Sequence, residues 1–130
     1  MAKELTVQNK QFIATSSKEK IADIIKPLTK EIYLFDTFVS ATSRIKNQEI
    51  FNDIKVGDKL LLRREESKFD ENEVVILTKD KEKIGYIPEK DNVIFARLMD
   101  AGKMLDAKII SIDRKGPFIQ IYIGIYLIDF

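Results

Sequence analysis

Residues 119–127 alternate without a break, with Ile119, Ile121, Ile123, Ile125 and Leu127 on one side and Gln120, Tyr122, Gly124 and Tyr126 on the other. Successive side chains of an extended chain point to opposite faces, so this period of two describes a strand with one buried face. Such a strand cannot stand alone and requires a sheet with a core beneath it. The chain has 130 residues, enough for one domain that buries a core without staples.

The rest of the chain supplies the partners. Leu105 to Asp113 is apolar and of strand length, and Arg114-Lys115-Gly116-Pro117 after it is turn chemistry. Lys59–Arg63 reads as a strand, and Glu73–Leu77, a Lys79–Glu82 turn and Lys83–Ile87 read as a hairpin stopped by Pro88. Residues 31–39 are aromatic and β-branched, which predicts a strand covered at least partly on both faces. Helical spacing of Ile45, Ile50, Phe51 and Ile54 predicts a short helix closed near Gly57. A second helix is predicted from Glu89 to Ala101, with Ile94, Phe95, Leu98, Met99 and Ala101 as its apolar face and Gly102 beyond its end. Six or so short strands with these helices describe a small curled sheet or partly open barrel, in which closure hides the edges.

Ahead of this body, residues 1–16 show no period and read as a loosely held arm. Ile21, Ile24, Ile25 and Leu28 then have helical spacing behind Ser17 as a possible cap, with Pro27 ending the run. The expected division is therefore an arm with a short helix at 1–30 and a barrel domain at 31–130.

Two absences narrow the chemistry. Without Cys the chain has no thiolate nucleophile, disulfide or Cys-ligated zinc, and without His it lacks the usual acid/base and metal ligand. No spaced carboxylate pair and no Walker motif take their place, so the expectation is a binding module rather than an enzyme, with no cofactor and no metal. The run Glu65, Glu66, Asp70, Glu71, Glu73 lacks the spacing of a calcium loop and reads as a solvated loop. Arg63-Arg64 is followed at once by Glu65 and Glu66, which reads as a neutralised surface at Arg64.

The 22 basic and 21 acidic residues leave a net charge of +1, so charge alone does not announce a nucleic-acid or membrane partner. Residues 1–30 carry +3 and residues 31–130 carry −2, so any nucleic-acid site on the main body is local. No apolar run is long enough to span a bilayer and the first residues lack a signal-peptide core, which predicts a soluble, cytoplasmic protein.

Three linked segments carry a family resemblance. They are Leu60-Leu-Leu-Arg63 through Ser67-Lys-Phe-Asp70-Glu-Asn72-Glu-Val74, then Ile84-Gly-Tyr-Ile-Pro88, then Asn92 with Ala96-Arg-Leu-Met-Asp-Ala-Gly102. Over about residues 32–113 the chain resembles the HIRAN domain, found fused to SNF2-type DNA translocases and other DNA-processing enzymes and as small free-standing bacterial proteins. The resemblance implies an OB-like small β-barrel of about six strands, mainly β with two or three short helices (α+β). It further implies a module that binds single-stranded DNA at its 3′ end and targets a DNA-processing partner. Residue by residue, Phe69 stands at the family's Tyr and Asp70 at the Asp that contacts the terminal sugar. Arg63 stands at its Arg, Asn72 at its structural Asn, Tyr86 faces the DNA channel, and Phe118 matches an aromatic that packs against a base. Where the family has an aromatic run before the first helix, this chain has Ser43-Arg44-Ile45, leaving Arg44 as a phosphate contact or guanidinium plane. Glu65 and Glu89 place acids near the phosphate path, which implies weak binding.

The physics of such a site stands by itself. An aromatic ring offers a π-face to any base, worth roughly 1–3 kcal/mol. A carboxylate accepts a hydrogen bond from a sugar hydroxyl and repels a phosphate at the same place. Each residue also has a plainer reading. Tyr86 and Phe118 can be sheet aromatics, Phe69 a plug at the barrel mouth, and Asp70 an Asx-turn residue. The alternative function is a protein-interaction or oligomerisation module, with the strand at 119–127 as its docking edge.

Overall fold

The computed structural model describes residues 30–129. The arm and short helix expected at 1–29 lie outside the described residues. Along the chain come β1 (Lys30–Phe38), two 3-10 turns (Thr42–Arg44 and Gln48–Asn52), β2 (Lys59–Arg64), β3 (Val74–Leu77), β4 (Lys83–Tyr86), helix α1 (Glu89–Asp100), β5 (Met104–Lys115) and β6 (Phe118–Asp129). The strands form one sheet in the order β1-β6-β5-β2-β3-β4.

The alternating segment behaves as its period requires. Ile121, Ile123 and Ile125 are fully buried, each contributing about 1.5–3 kcal/mol by leaving water. Strand β5 pairs antiparallel with β6 from Met104↔Ile128 to Lys115↔Phe118. It runs past the expected end at Asp113 because the turn is only Gly116-Pro117. Gly116 takes φ 60°, the left-handed value that a two-residue hairpin opening on Gly uses, and the Pro ring fixes φ near about −65° beside it. Arg114 and Lys115 are thereby freed to pair with Ile119 and Phe118.

Three further expectations are corrected. β1 is not covered on both faces. Its residues are mostly exposed and only Thr37 is buried, because β1 stands at the end of the strand order. The segment 44–54 is not one helix. It makes two short turns closed by i→i+3 bonds, Arg44 N to Ala41 O and Ile50 N to Asn47 O, with Ile50 and Phe51 turned into the core. On α1 the buried residues are Asn92, Phe95 and Ala96, whereas Ile94 and Ala101 are exposed. The stripe at 92, 95, 96 and 99 is the one that meets the sheet, and it leaves position 94 on the flank.

The sheet curls until its two ends approach. Just after β1, Ser40 N donates to Tyr86 O at 2.8 Å and Tyr86 N donates to Ser40 O at 3.0 Å, tying the chain leaving the first strand in the order to the last. Gly85 makes this approach possible, since a Cβ there would run into Ser40 O and Val39 Cγ1. The result is a half-barrel whose interior holds Val39, Leu60, Ile76, Ile84, Phe95, Ala107 and the β6 isoleucines. Because β6 lies between β1 and β5, it cannot be the docking edge expected of residues 119–127. Its backbone groups are spent on both neighbours. Among the described residues no helix is long and apolar enough to cross a membrane.

Candidate nucleic-acid interface

The loop between β2 and β3 is built around one turn and one arginine. Ser67 N and Oγ donate to the Asp70 carbonyl at 3.1 and 3.4 Å, while Ser67 Oγ accepts from the Phe69 and Asp70 amides at 3.3 and 3.1 Å. This tight turn lifts Phe69 out of the molecule, where its side chain is almost wholly exposed (93%). Arg64 closes the loop at its base. Nη1 donates to the carbonyls of Glu65 (3.0 Å) and Glu73 (2.7 Å), Nη2 to that of Glu71 (3.0 Å), and Nε and Nη2 to the Asp100 carboxylate at 2.8 and 3.1 Å. All five guanidinium N–H groups are used. The neutralised surface expected at Arg64 is therefore corrected, because its head reaches past Glu65 and Glu66 to backbone carbonyls and the end of α1.

Asp70 is held at both oxygens. Oδ1 accepts from the Asn72 amide at 2.8 Å, an Asx turn, and Oδ2 accepts from Asn92 Nδ2 at 2.7 Å. Each carboxylate oxygen retains a lone pair. Asn92 comes from the buried stripe of α1, 1% exposed, and its Oδ1 has no partner among the described residues.

Tyr86, at the end of β4, lines the same groove as Asp70. Lys83 Nζ donates to the Tyr86 hydroxyl at 3.0 Å and lies 5.1 Å from the ring centroid. That bond, with Glu65 and Glu73 near it, lifts the Lys83 pKa above the usual lysine range. Glu73 is pushed above the ordinary carboxylate range by burial first and by the facing Glu65 second. Glu65 is drawn down by Arg63, whose Nη2 contacts it at 2.9 Å.

These side chains share a groove of about 700 Å³ between the β2–β3 loop, β4 and the first 3-10 turn. Phe69, Asp70, Tyr86 and Arg44 all line it, with Lys46, Lys83, Glu73 and Glu89. Its wall at 44–46 is basic, and among the described residues neither Arg44 nor Lys46 joins an ion pair. Asp70, Glu73 and Glu89 add carboxylates to its lining. Arg63 and Phe118 lie elsewhere. Arg63 does not line the groove and contacts Glu65 at 2.9 Å, and Phe118, 72% exposed, lines a second groove of about 330 Å³ with Gln48, Phe51 and Arg114.

Sequence reasoning assigned no site role to Arg64, Glu73, Lys83 or Asn92. A polar residue on an apolar helical stripe was a signal for Asn92, since a buried amide needs a partner. Nothing local distinguished Arg64 from Arg63, because its partners are backbone carbonyls and a carboxylate 36 residues away. Among the described residues no group of three or more acidic, thiol or imidazole side chains could hold a metal ion.

Comparison with known proteins agrees with this architecture. Two solved structures share the fold. A protein from Lactobacillus plantarum superposes with a TM-score of 0.73 at 22% identity, covering 78% of this chain and 99% of that one. The HIRAN domain of human HLTF superposes with a TM-score of 0.62 at 10% identity, covering 78% and 79%. No match was found among the curated proteins. The family model of the HIRAN domain matches residues 32–127, which spans every strand from β1 to β6. HIRAN domains are DNA-binding modules, which supports nucleic-acid binding in general terms. By this match the chain belongs to the HIRAN domain family.

Proposed function

We propose that the chain binds the 3′ end of single-stranded DNA in the 700 Å³ groove, as a non-catalytic, OB-like module. The observation that carries the reading is the convergence there of two rings, one turn-held carboxylate and one basic wall. A terminal base stacks on Phe69 or Tyr86, each stack worth roughly 1–3 kcal/mol and indifferent to sequence. The 3′-hydroxyl donates to a free lone pair of Asp70, and the preceding phosphate lies against Arg44 and Lys46. Asp70 selects the terminus by sign, because a hydroxyl proton is attracted to the carboxylate while a 3′-phosphate is repelled. Phe118 and Arg114, in the second groove, serve nucleotides further from the end. A module of this kind delivers a cytoplasmic DNA-processing enzyme to free ends.

The test is a fluorescence titration with short single strands ending in 3′-hydroxyl or 3′-phosphate at several salt concentrations. Preference for the hydroxyl, lost in Asp70→Ala, supports the reading. Equal, feeble binding of all ends with a steep salt slope reduces it to electrostatic adhesion.

A second reading, an oligomerisation module, is favoured by the apolar side chains exposed on β1, namely Ile32, Tyr33 and Phe35 at 41, 54 and 44%. An apolar edge strand with no outer neighbour among the described residues is a template for a second copy of the same strand. A mass in solution of one chain at micromolar concentration rules it out.

A further inference from the structure

We infer that Glu73 reads the base at the strand's end, its carboxylate accepting hydrogen bonds from the N–H groups of a base edge, so that the groove favours a terminal guanine over a terminal thymine. The inference rests on the end-binding reading and names which ends are preferred.

Glu73 is placed for it. It lines the groove that holds Tyr86 and Asp70. Val75, two residues on, is the cross-strand partner of Tyr86, and residues two apart on a strand share a face, so Glu73 and Tyr86 lie on one side of the β3–β4 pair. Its backbone is fixed, the carbonyl accepting from Glu65 N at 3.0 Å and from Arg64 Nη1 at 2.7 Å. Its carboxyl faces that of Glu65 and receives no N–H bond among the described residues. Lys83, the nearest cation on that face, is turned onto the Tyr86 hydroxyl at 3.0 Å, and Arg63 is turned onto Glu65 at 2.9 Å. Among the described residues Glu73 enters no ion pair. A half-buried carboxylate that receives no N–H bond of its own costs free energy until a ligand brings N–H groups.

A base stacked on Tyr86 presents its edge in the plane of its own ring. Guanine offers neighbouring N1–H and N2–H donors that match the two oxygens of one carboxylate. Cytosine and adenine each offer one exocyclic amine beside an acceptor. The single N3–H of thymine sits between two carbonyls that repel a carboxylate. The resulting order is guanine first, cytosine and adenine between, thymine last, with about tenfold from first to last, the lower part of the range for a bidentate base contact.

The experiment titrates the full chain with labelled strands that differ only in the 3′-terminal base, including inosine, which lacks the N2 amine. Each is used with a free and a phosphorylated 3′ end. The expected result is the order above, with inosine falling between guanine and thymine, and a guanine-to-thymine ratio that collapses to about twofold in Glu73→Gln. The ratio is the readout, since removing a carboxylate from the groove also shifts the binding of every strand. Equal affinity for all terminal bases, an inosine end as tight as guanine, or an unchanged ratio in Glu73→Gln overturns the inference. Hydroxyl preference without base ranking overturns it alone, base ranking without hydroxyl preference overturns the end-binding reading alone, and no binding of any strand overturns both.

Discussion

Asn92, 1% exposed on α1, donates from Nδ2 to Asp70 Oδ2 at 2.7 Å, so a buried amide orients a carboxylate on the groove wall. Removing either partner therefore does two things. Asp70→Ala leaves a buried N–H without an acceptor as well as emptying the groove of its hydroxyl acceptor, and is expected to cost about 1–3 kcal/mol of stability. Asp70→Asn keeps the shape but has one oxygen for two donors, so it retains either the Asn72 turn bond or the Asn92 bond while discarding the charge. Urea unfolding is expected to rank Asp70→Ala below Asp70→Asn, with both losing discrimination against a 3′-phosphate. Equal stabilities would show that neither the Asn72 turn bond nor the Asn92 bond contributes.

Arg64 holds three carbonyls of the loop that presents Phe69 and Asp70, with its side chain 18% exposed. Arg64→Ala removes the side-chain bond from all three, leaving the Glu73 carbonyl only its bond from Glu65 N, and is expected to lower stability by about 2–3 kcal/mol. Arg64→Lys retains a charge but not the planar fork, so it is expected to recover less than half of that loss. Urea midpoints of the two variants check this, and a full recovery by Lys would mean that charge, not geometry, closes the loop.

How much of this was legible follows from the range of each interaction. The β6 period, the 73–87 hairpin and the end of α1 near Gly102 depend on neighbours in sequence, and all were readable. The exposure of β1 depends on the strand order, which no local pattern encodes. Two 3-10 turns replaced a helix at 42–52 because Ile50 and Phe51 are drawn into the core by their tertiary surroundings, not by their spacing. In the groove, the turn at Ser67–Asp70 and the ring of Tyr86 were visible. That Arg64 closes the loop was not legible, since Arg63 and Arg64 differ only in the face each takes on β2. Glu73 passed as one acid in a charged run because its distinction, a carboxyl that faces Glu65 and takes no cation, arises only in three dimensions.

Stability is expected to peak in mild acid. Burial holds the Glu73 and Asp106 pKa values above their ordinary 4.5 and 3.8, so the native state binds these protons more tightly than the unfolded chain. Their contribution grows as pH falls through the native values and is complete below the ordinary ones. The carboxyls of Glu65 and Glu31 are held below 4.5 by Arg63 and Lys108 respectively, and their contribution is lost as pH falls from 4.5 through the native values. Urea midpoints measured from neutral pH down to about 3 are therefore expected to rise and then fall. Glu73→Gln and Asp106→Asn are expected to remove most of the rise, and a profile that declines steadily from neutrality contradicts the assignment.

Gly85→Ala is expected to reopen the sheet. The added methyl meets Ser40 O and Val39 Cγ1, and because Ser40 O belongs to the backbone, a rotamer change cannot relieve the contact. The loss is set at about 2 kcal/mol or more, in the range of overpacked cores. Amide exchange locates it, since Ser40 and Tyr86, which exchange both hydrogen bonds of the bridge, are expected to lose protection while Ile123 and Ile125 on β6 keep theirs. Uniform loss over the whole sheet would mean that the bridge does not open on its own.

Phe69 separates binding from folding. At 93% exposure its ring contributes almost nothing to the core, so Phe69→Ala is expected to stay within about 0.5 kcal/mol of the parent in stability, as surface changes do. Its loop conformation rests on Ser67, Asp70 and Arg64 and survives the truncation. An exposed phenyl ring on a turn whose backbone is this fully bonded serves a ligand or nothing. Phe69→Ala is therefore expected to weaken single-strand binding by about tenfold, toward the lower end of a base–aromatic stack, with a thermal midpoint equal to that of the parent. A stable variant that binds as the parent does would leave Tyr86 as the stacking surface and Phe69 without a part in the site.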